Sequence, residues 1–267
     1  MTPQPLYRAE SIDPAYHLRY TWSGWLSERP THDSFTADFW KRLSDQWEGD
    51  GFRLLEPSVA GNKIQLCFST TPDVAPVTLA GRAKGRLQHA LRTASLPCEF
   101  RRKLAIRSIG DNTTGVVEQY VASQVDRSAY VDPTFKEALK QFTVVNPSVD
   151  LSIPTESQSG RYWYNVHVVL VVVERHPIVD LEMLARLRDV PFRIAAKKGH
   201  SVAALSVLPD HLHVALRGAI DHSPQDIAMG FLNNTAYAVG QKPIWMAGYY
   251  AGTFSEYNMN AVRRRVC

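Results

Sequence analysis

Cysteine is scarce in this sequence, and so are long hydrophobic segments. Its three cysteines are far apart in the chain: Cys67, Cys98 and Cys267. An odd number of widely spaced cysteines excludes a disulfide framework and a cysteine-rich zinc site, and it suits a reducing compartment. The longest unbroken apolar run, Val168 to Val173, is far shorter than the roughly 20 residues that cross a membrane. We therefore expect a soluble, cytoplasmic protein with no membrane partner.

An excess of one charge is also missing. The chain has 30 lysines and arginines against 26 aspartates and glutamates, which gives a net charge of +4 over 267 residues. This mild basic bias permits a polyanionic partner without indicating one. At about 150 residues per domain, the length predicts two domains.

A weak internal repeat relates the two halves of the chain. Tyr16 to Trp22 aligns with Tyr164 to Leu170, and Gly51 to Ser69 aligns without a gap at the same offset with Gly199 to Arg217. Apolar positions match apolar positions along these stretches. After a short insertion or deletion, Ser108-Ile109-Gly110 matches Thr253-Phe254-Ser255. A repeat of this length predicts two copies of one domain.

Each copy shows the same order of predicted elements: strand, helix, two strands joined by a tight turn, helix, short strand and final helix. The predicted strands are 16–25, 53–59, 63–68, 164–173, 201–208 and 211–216, and the predicted helices are 35–47, 77–92, 180–188 and 225–239. This order is typical of an α+β fold of the ferredoxin-like kind. We predict two tandem domains, each an antiparallel sheet with helices on one face.

The predicted boundaries follow from composition. The first domain covers 1–125 and the second covers 161–267. Between them, 126–160 is rich in proline, serine, threonine and aspartate, which predicts a linker with one short helix around 134–142.

Two histidines flank one apolar residue in the segment Asp210-His211-Leu212-His213. On a strand, alternation places both imidazoles on one face while Leu212 enters the core. Two such imidazoles can hold one divalent ion and leave positions open for other ligands. The alternative is that both histidines are structural.

A second candidate lies on the predicted helix around Val116 to Gln124. Val117 and Val121 share one helix face, while Tyr120 and Gln124 stand one turn apart on another. Such a pair could present a phenol beside an amide oxygen that binds a metal ion.

These segments resemble the two halves of the active site of the single-tyrosine HUH transposases, which include the insertion-sequence TnpA type and the REP-associated tyrosine transposases. The His-x-His strand matches one half. The segment Ala105 to Gly110 with the following Tyr-x-x-x-Gln matches the other, and Gly248 to Ser255 resembles the stretch before the tyrosine helix. Members are one domain long, and many of the insertion-sequence type are dimers that combine histidines and tyrosine from different subunits.

The resemblance implies a function for each matched residue. Tyr120 would attack a phosphodiester of single-stranded DNA, which folds into a hairpin in this family, and would form a 5′-phosphotyrosine link. His211, His213 and Gln124 would hold Mg²⁺ or Mn²⁺. The chain would be a metal-dependent DNA endonuclease and strand transferase of the transposase type, from a prokaryotic cytoplasm.

The departures from the family pattern are informative. The first copy has Lys63 and Gln65 where the repeat would place histidines, and the second has Arg265 where it would place the tyrosine. If each copy worked alone, both sites would be broken. If the copies combine, one complete site remains, so we predict a monomeric, fused pseudo-dimer that could pair on DNA. Tyr257 is the minor alternative nucleophile.

Basic and aromatic residues offer a track for DNA, through phosphate contacts and base stacking. The basic candidates are Arg82, Lys84, Arg86, Arg101, Arg102, Lys103, Lys197 and Lys198, and the aromatic ones are Trp22, Trp25, Trp163 and Trp245. Two other functions stay open. One is a domesticated nickase of the same chemistry that processes host hairpin repeats, and the other is a catalytically silent nucleic-acid-binding protein.

Overall fold

The strands of this mixed α/β protein form two six-stranded sheets in the computed structural model, which describes residues 4–30, 35–240 and 242–258. The described strands are β1 (Asp13–His17), β2 (Arg19–Trp25), β3 (Phe52–Ala60), β4 (Lys63–Thr70), β5 (Leu104–Ile109), β6 (Thr143–Val145), β7 (Thr155–Glu156), β8 (Gly160–Trp163), β9 (Asn165–Val171), β10 (Ser201–Val207), β11 (His211–Arg217) and β12 (Gly248–Phe254). The described α-helices are α1 (Ala37–Glu48), α2 (Pro76–Thr93), α3 (Thr114–Ala122), α4 (Gln124–Arg127), α5 (Pro133–Leu139), α6 (Leu181–Lys198) and α7 (Pro224–Ala238).

Both sheets contain the same antiparallel core. The first sheet has the order β3-β4-β2-β5-β8-β7, and the second has β1-β12-β9-β11-β10-β6. The strands β3, β4, β2 and β5 correspond in order and direction to β10, β11, β9 and β12. Both hairpins even shift register at matching positions, across Leu55 and Ala203. The sequence repeat is thus visible as a repeat of topology.

The prediction of purely antiparallel sheets is wrong, because each sheet takes one parallel strand from the other half. Strand β1 pairs in parallel with β12, and β8 pairs in parallel with β5. In each half the chain passes from one sheet to the other at a single buried residue, Leu18 between β1 and β2, and Tyr164 between β8 and β9. The two halves of the chain therefore exchange strands, and each sheet contains strands from both halves.

These crossing points correct the repeat alignment. The backbone pairs Tyr16 with Ala251 and Tyr162 with Ile106, so Tyr162, and not Tyr164, is the structural equivalent of Tyr16. Since side chains alternate along a strand, a shift of two residues leaves the buried and exposed pattern almost unchanged. The sequence pattern alone therefore supported both alignments.

Two buried hydroxyl groups hold the crossing strands in equivalent ways. The backbone N–H of Arg19 donates to Oγ1 of Thr253 (2.8 Å), which itself donates to the carbonyl of Ile109 (2.7 Å). In the other half, the N–H of Asn165 donates to Oγ of Ser108 (3.0 Å), which donates to the carbonyl of Phe254 (2.7 Å). Ser108 and Thr253 are the residues that the repeat aligned. Each joins strands of both sheets.

The helices begin and end where the sequence provides caps. Thr36 caps α1, Asp180 caps α6, and Ser223 forms a reciprocal capping box with Asp226 on α7. Helix α6 continues through a buried proline, well beyond its predicted end, to a left-handed glycine. Among the described residues, no helix is long and apolar enough to cross a membrane.

The segment predicted as a linker is packed against both sheets. It contains α5, and its strands β6 and β7 extend the second and first sheets at β10 and β8. Leu139, Phe142 and Leu151 are buried in the hydrophobic core. The polar composition of 126–160 predicted a linker, whereas a few apolar residues in this segment pack it into the fold.

The hydroxyl of Thr253 should contribute measurably to stability. We expect Thr253→Val to lower the free energy of unfolding by about 2 kcal/mol, because it leaves a buried N–H without its acceptor. Urea denaturation followed by tryptophan fluorescence measures the effect. Thr93→Val is the control, since this hydroxyl bonds to a carbonyl on the exposed surface of a helix, and its change should stay within about 0.5 kcal/mol. Equal losses in the two variants would contradict the role of Thr253.

Candidate active site

Helix α3 starts in the first half of the chain but packs on the sheet of the second half. The chain leaves β5, and the N–H of Thr114 donates to the carbonyl of Ser255 in the other half (2.8 Å). Val117 and Val121 are then buried in a cluster with Ala203 and Ala215. This face holds α3 against β10 and β11. The neighbouring face of the same helix carries Tyr120, whose ring lies beside His213 of β11.

A cleft of about 630 Å³ opens between α3 and the second sheet. The residues that line it come from both halves of the chain and comprise Asn112, Val116, Val117, Gln119, Tyr120, Arg127, His167, Val169, Val171, Arg175, His211, His213 and Tyr250. The floor is apolar or imidazole, and two arginines lie at the walls. A polyanion could enter such a cleft, because two arginines line it and its described lining includes no carboxylate.

The structure brings Tyr120 next to the histidine pair. The ring centroid of Tyr120 lies 5.4 Å from that of His213, and the rings of His211 and His213 are 4.8 Å apart. Tyr120 is 37% exposed and lines the cleft. The three side chains that the sequence assigned to different halves therefore meet in one place.

His211 is oriented by a carboxylate. Its Nδ1 donates to Oδ1 of Asp210 (2.6 Å), and Nη1 of Arg175 donates to Oδ2 of the same carboxylate (2.8 Å). Burial by itself raises the pKa of Asp210, but the hydrogen bond from His211 and the charge of Arg175 hold this pKa below its ordinary value. The carboxylate therefore stays ionised and leaves Nε2 of His211 as the nitrogen available to the cleft.

His213 contacts a third histidine that the motif did not include. Nδ1 of His213 and Nε2 of His167 are 3.0 Å apart, while Nε2 of His213 is buried without a hydrogen-bond partner. Burial lowers the pKa of His213 to about 2, with the neighbouring histidines adding to the effect, and it lowers the pKa of His167 to about 4. Both imidazoles are therefore neutral at pH 7, which is the form that binds a metal ion.

The predicted metal ligands fit the structure unequally. His211 and His213 each have one ring nitrogen engaged and Nε2 left over, as metal-binding histidines do. Gln124 is buried outside the lining of the cleft, and its Nε2 donates to the carbonyl of Tyr120 (2.8 Å). The turn at Ser123, between α3 and α4, interrupts the helix on which the expected spacing relied. In the described parts of the chain, no cluster of three or more His, Cys, Asp or Glu side chains could hold a metal ion.

The alternative nucleophile lies elsewhere. Tyr257 is on the first sheet's side of the molecule, where its ring lies 5.2 Å from the guanidinium of Arg107. On the same sheet, Nζ of Lys63 donates to Oε1 of Gln65 (2.7 Å) at the positions equivalent to the two histidines, and burial lowers the pKa of Lys63. The predicted equivalence of Arg265 to the tyrosine falls outside the described residues.

The predicted DNA-binding residues lie outside the cleft lining. Arg82 and Arg86 both pair with Asp50, which lowers the pKa of that carboxyl, and Lys84 lies 6.0 Å from the ring of Phe100. Arg102 and Lys103 line a separate shallow depression. Arg101 is exposed, as are Lys197 and Lys198 at the end of α6. Trp22 and Trp245 are buried in the core, whereas Trp25 and Trp163 are partly accessible.

Four charged or aromatic side chains of the cleft were missed by sequence reasoning. Arg127 could have been found, because it follows Tyr120 by two helical turns, and its guanidinium lies 5.2 Å from the tyrosine ring. His167 and Val169 lie on the same face of β9 by strand alternation, but alternation alone does not show that this face lines the cleft. Arg175 and Tyr250 carry no such signal, because their positions depend on strand order and on the left-handed turn at residues 174 and 175.

The structure thus places a tyrosine beside a His-x-His pair, which is the combination that the resemblance to HUH-type tyrosine transposases implied. A family model described as "Transposase IS200 like" (Y1_Tnp) matches residues 161–266. This match and the curated relative described below confirm the resemblance to HUH-type tyrosine transposases that the motifs indicated. The matched segment contains the histidine strand and β12, whereas Tyr120 lies before it.

The chain is also similar to individual proteins. The ISDra2 transposase TnpA of Deinococcus radiodurans is 34% identical over 67 residues, which cover 24% of this chain and 48% of that protein. The chain thus spans about half the length of this curated relative. Among solved structures, a putative transposase from D. radiodurans R1 is 22% identical with a TM-score of 0.32, over 38% of this chain and 87% of its own. A REP-associated tyrosine transposase bound to a REP hairpin is 17% identical with a TM-score of 0.32, over 39% and 62%.

The buried histidines predict a loss of stability in acid. His213 and His167 are neutral in the fold but take up protons near pH 6.5 in the unfolded chain. Their stabilisation is therefore complete above about pH 6.5 and falls with decreasing pH toward about 4, by up to about 1.4 kcal/mol per pH unit for each histidine. Without added metal, urea unfolding at about pH 7 and about pH 5 should show this slope.

Removal of one histidine should reduce that slope. In His213→Leu, the loss of unfolding free energy between the two pH values should be smaller by the contribution of about one proton. In His176→Gln, a change at an exposed position, this loss should be the same as in the natural protein. If His213→Leu and the natural protein lose stability equally between the two pH values, His213 is not buried in its neutral form.

Proposed function

We propose that the protein is a single-stranded DNA endonuclease and strand transferase of the transposase type, with one composite active site. The observation that carries this proposal is the meeting of Tyr120, from the first half, with His211 and His213, from the second half, in one cleft. The family match supports the same chemistry, because tyrosine transposases are DNA-nicking enzymes.

The reaction needs one nucleophile and one leaving group. The hydroxyl oxygen of Tyr120 forms a bond to the scissile phosphorus as its proton passes to water, and the bond from phosphorus to the 3′ oxygen breaks. The 3′ oxygen takes a proton and leaves as a hydroxyl, while the 5′ phosphate stays on the tyrosine. A second 3′ hydroxyl can attack this phosphodiester in the reverse sense and rejoin strands without another energy source.

His211 and His213 are the residues that would hold Mg²⁺ or Mn²⁺. When bound, the ion would withdraw charge from the phosphoryl oxygens and favour attack on phosphorus. Asp210 and His167 lie on the Nδ1 sides of the two imidazoles, which leaves Nε2 of each as the atom for the ion. Gln124 completes the predicted ligand set only if its amide leaves the carbonyl of Tyr120.

Two arginines of the cleft are suited to binding the DNA backbone. Arg127 lies at the tyrosine ring, and Arg175 lies beside Asp210 and His211. Guanidinium groups bind phosphate oxygens through pairs of N–H donors and keep their charge at every relevant pH. The substrate's phosphate would therefore lie between these arginines. The more distant basic residues would follow the strand as it leaves the cleft.

The fold supports a fused pair of ferredoxin-like copies. The matching strand orders, the matching bulges and the paired hydroxyls of Ser108 and Thr253 all relate one half to the other. Only one of the two related sheets carries histidines at the key positions. We infer that one molecule does the work of two subunits and retains one of their two sites.

Tyr120→Phe should abolish covalent capture of DNA. Incubation of the protein with 3′-labelled single-stranded oligonucleotides from the flanks of its gene, with Mg²⁺ or Mn²⁺, should give a covalent adduct on a denaturing gel. The adduct should be absent in Tyr120→Phe because the nucleophilic oxygen is missing. Tyr257→Phe is the matched control and should keep the adduct.

An adduct that persists in Tyr120→Phe would overturn the assignment, and its loss in Tyr257→Phe alone would move the nucleophile to that residue. Oligonucleotides with and without the ability to form a hairpin, compared in the same gel, test the predicted substrate shape. A family-like enzyme should favour the hairpin form.

Mixing two inactive variants tests whether the site forms within one chain. One variant is Tyr120→Phe, and the other is His211→Ala combined with His213→Ala. If each chain builds its own cleft from its two halves, the mixture should stay inactive, because no single molecule has a complete site. Recovery of adduct in the mixture, beyond either variant alone, would show that two chains exchange halves and that the pseudo-dimer model is wrong.

A further inference from the structure

His167 is the one histidine of the cleft that neither the His-x-His motif nor the proposed chemistry uses. It lies on β9, next to β11, where it pairs across the sheet with Ala215. Its ring is nearly parallel to that of His213, with 15° between the planes and 5.2 Å between the centroids, and Nε2 of His167 meets Nδ1 of His213 at 3.0 Å. The two rings therefore meet through their nitrogens.

A hydrogen bond between two neutral imidazoles fixes the proton positions on both rings. One nitrogen must donate and the other must accept. If His167 donated, the proton of His213 would be on its Nε2, which is buried and has no hydrogen-bond partner. Orphaned buried N–H groups are rare and costly. If His213 donates from Nδ1, its Nε2 presents a lone pair instead.

We propose that His167 is a positioning residue for the metal site: it accepts a hydrogen bond from Nδ1 of His213 and so leaves the lone pair of His213 on Nε2, where it can bind a metal ion. This inference rests on the proposed function, since it gives the metal ion a prepared ligand. Asp210 does the same for His211 through the hydrogen bond at 2.6 Å. The two ligands of the motif are thus oriented by two different partners, one anionic and one neutral.

The other copy supports this role. By the register of the strands, Thr21 is the equivalent of His167, because Thr21 pairs with Arg107 as His167 pairs with Gly252. The copy that has Lys63 and Gln65 in place of the motif histidines therefore also lacks the third histidine. A histidine kept only for packing would have no reason to be absent together with the ligands.

Nitrogen NMR of the metal-free protein tests the tautomer directly. With ¹⁵N-labelled histidine, long-range proton–nitrogen correlations identify which ring nitrogen of His213 carries the proton, and His213→Gln assigns the signals. We expect the Nδ1–H form in the natural protein and a shift toward the Nε2–H form in His167→Leu. An Nε2–H form of His213 in the natural protein would overturn the proposal.

Metal affinity provides a second readout that does not depend on DNA cleavage. Titration with Mn²⁺, followed by electron paramagnetic resonance of the free ion, should show at least about 10-fold weaker binding in His167→Leu. His167→Gln should recover part of the loss, because its amide oxygen can accept the same hydrogen bond. Thr21→Val, the equivalent position on the other sheet, is the control and should bind Mn²⁺ like the natural protein.

The outcomes separate the two proposals. If the natural protein binds no Mn²⁺, the metal-dependent part of the proposed function fails, and the NMR result alone decides the role of His167. If it binds Mn²⁺ and His167→Leu binds it equally well with an unchanged tautomer of His213, the positioning role is wrong while the proposed function stands. Circular dichroism of each variant confirms that the fold is retained.

Discussion

The architecture depends on the exchange of strands at two buried crossing points. At Leu18 and Tyr164 the chain leaves one sheet and enters the other, and the hydroxyls of Thr253 and Ser108 satisfy the backbone groups just beyond each crossing. A buried N–H has few other ways to find a partner at such a bend. The crossings align the two sheets closely enough for α3 to leave one and pack on the other. The cleft exists only because of that alignment.

Much of this arrangement could be predicted from local patterns. The alternation of apolar residues predicted the strands of both hairpins, and the aligned segments around Ser108 and Thr253 matched the observed topology. The parallel pairings of β1 and β8 could not be predicted, because they connect strands far apart in sequence. For the same reason the alignment of the first strands was wrong by two residues, a change that leaves the alternation intact.

In the candidate site, too, some residues follow from local sequence patterns and others are brought together only by tertiary structure. His211 and His213 share one strand, so their common face follows from periodicity, and the structure places Tyr120 beside them. Gln124 was assigned through an ideal helical spacing, and the turn at Ser123 is a local deviation that composition does not encode. His167 and Arg175 enter the cleft from neighbouring strands and turns. Their proximity is a property of tertiary structure, and the same tertiary packing buries His167 and His213 and so keeps these two imidazoles neutral.

The packed segment 126–160 has a consequence for concentration. Where two separate molecules build a shared site, the fraction of complete sites falls on dilution, because association is a second-order process. Here the segment that joins the halves is itself built into both sheets. If each chain builds its own cleft, as we propose, the tyrosine wall and the histidine wall belong to one molecule, and the fraction of complete sites would not depend on protein concentration.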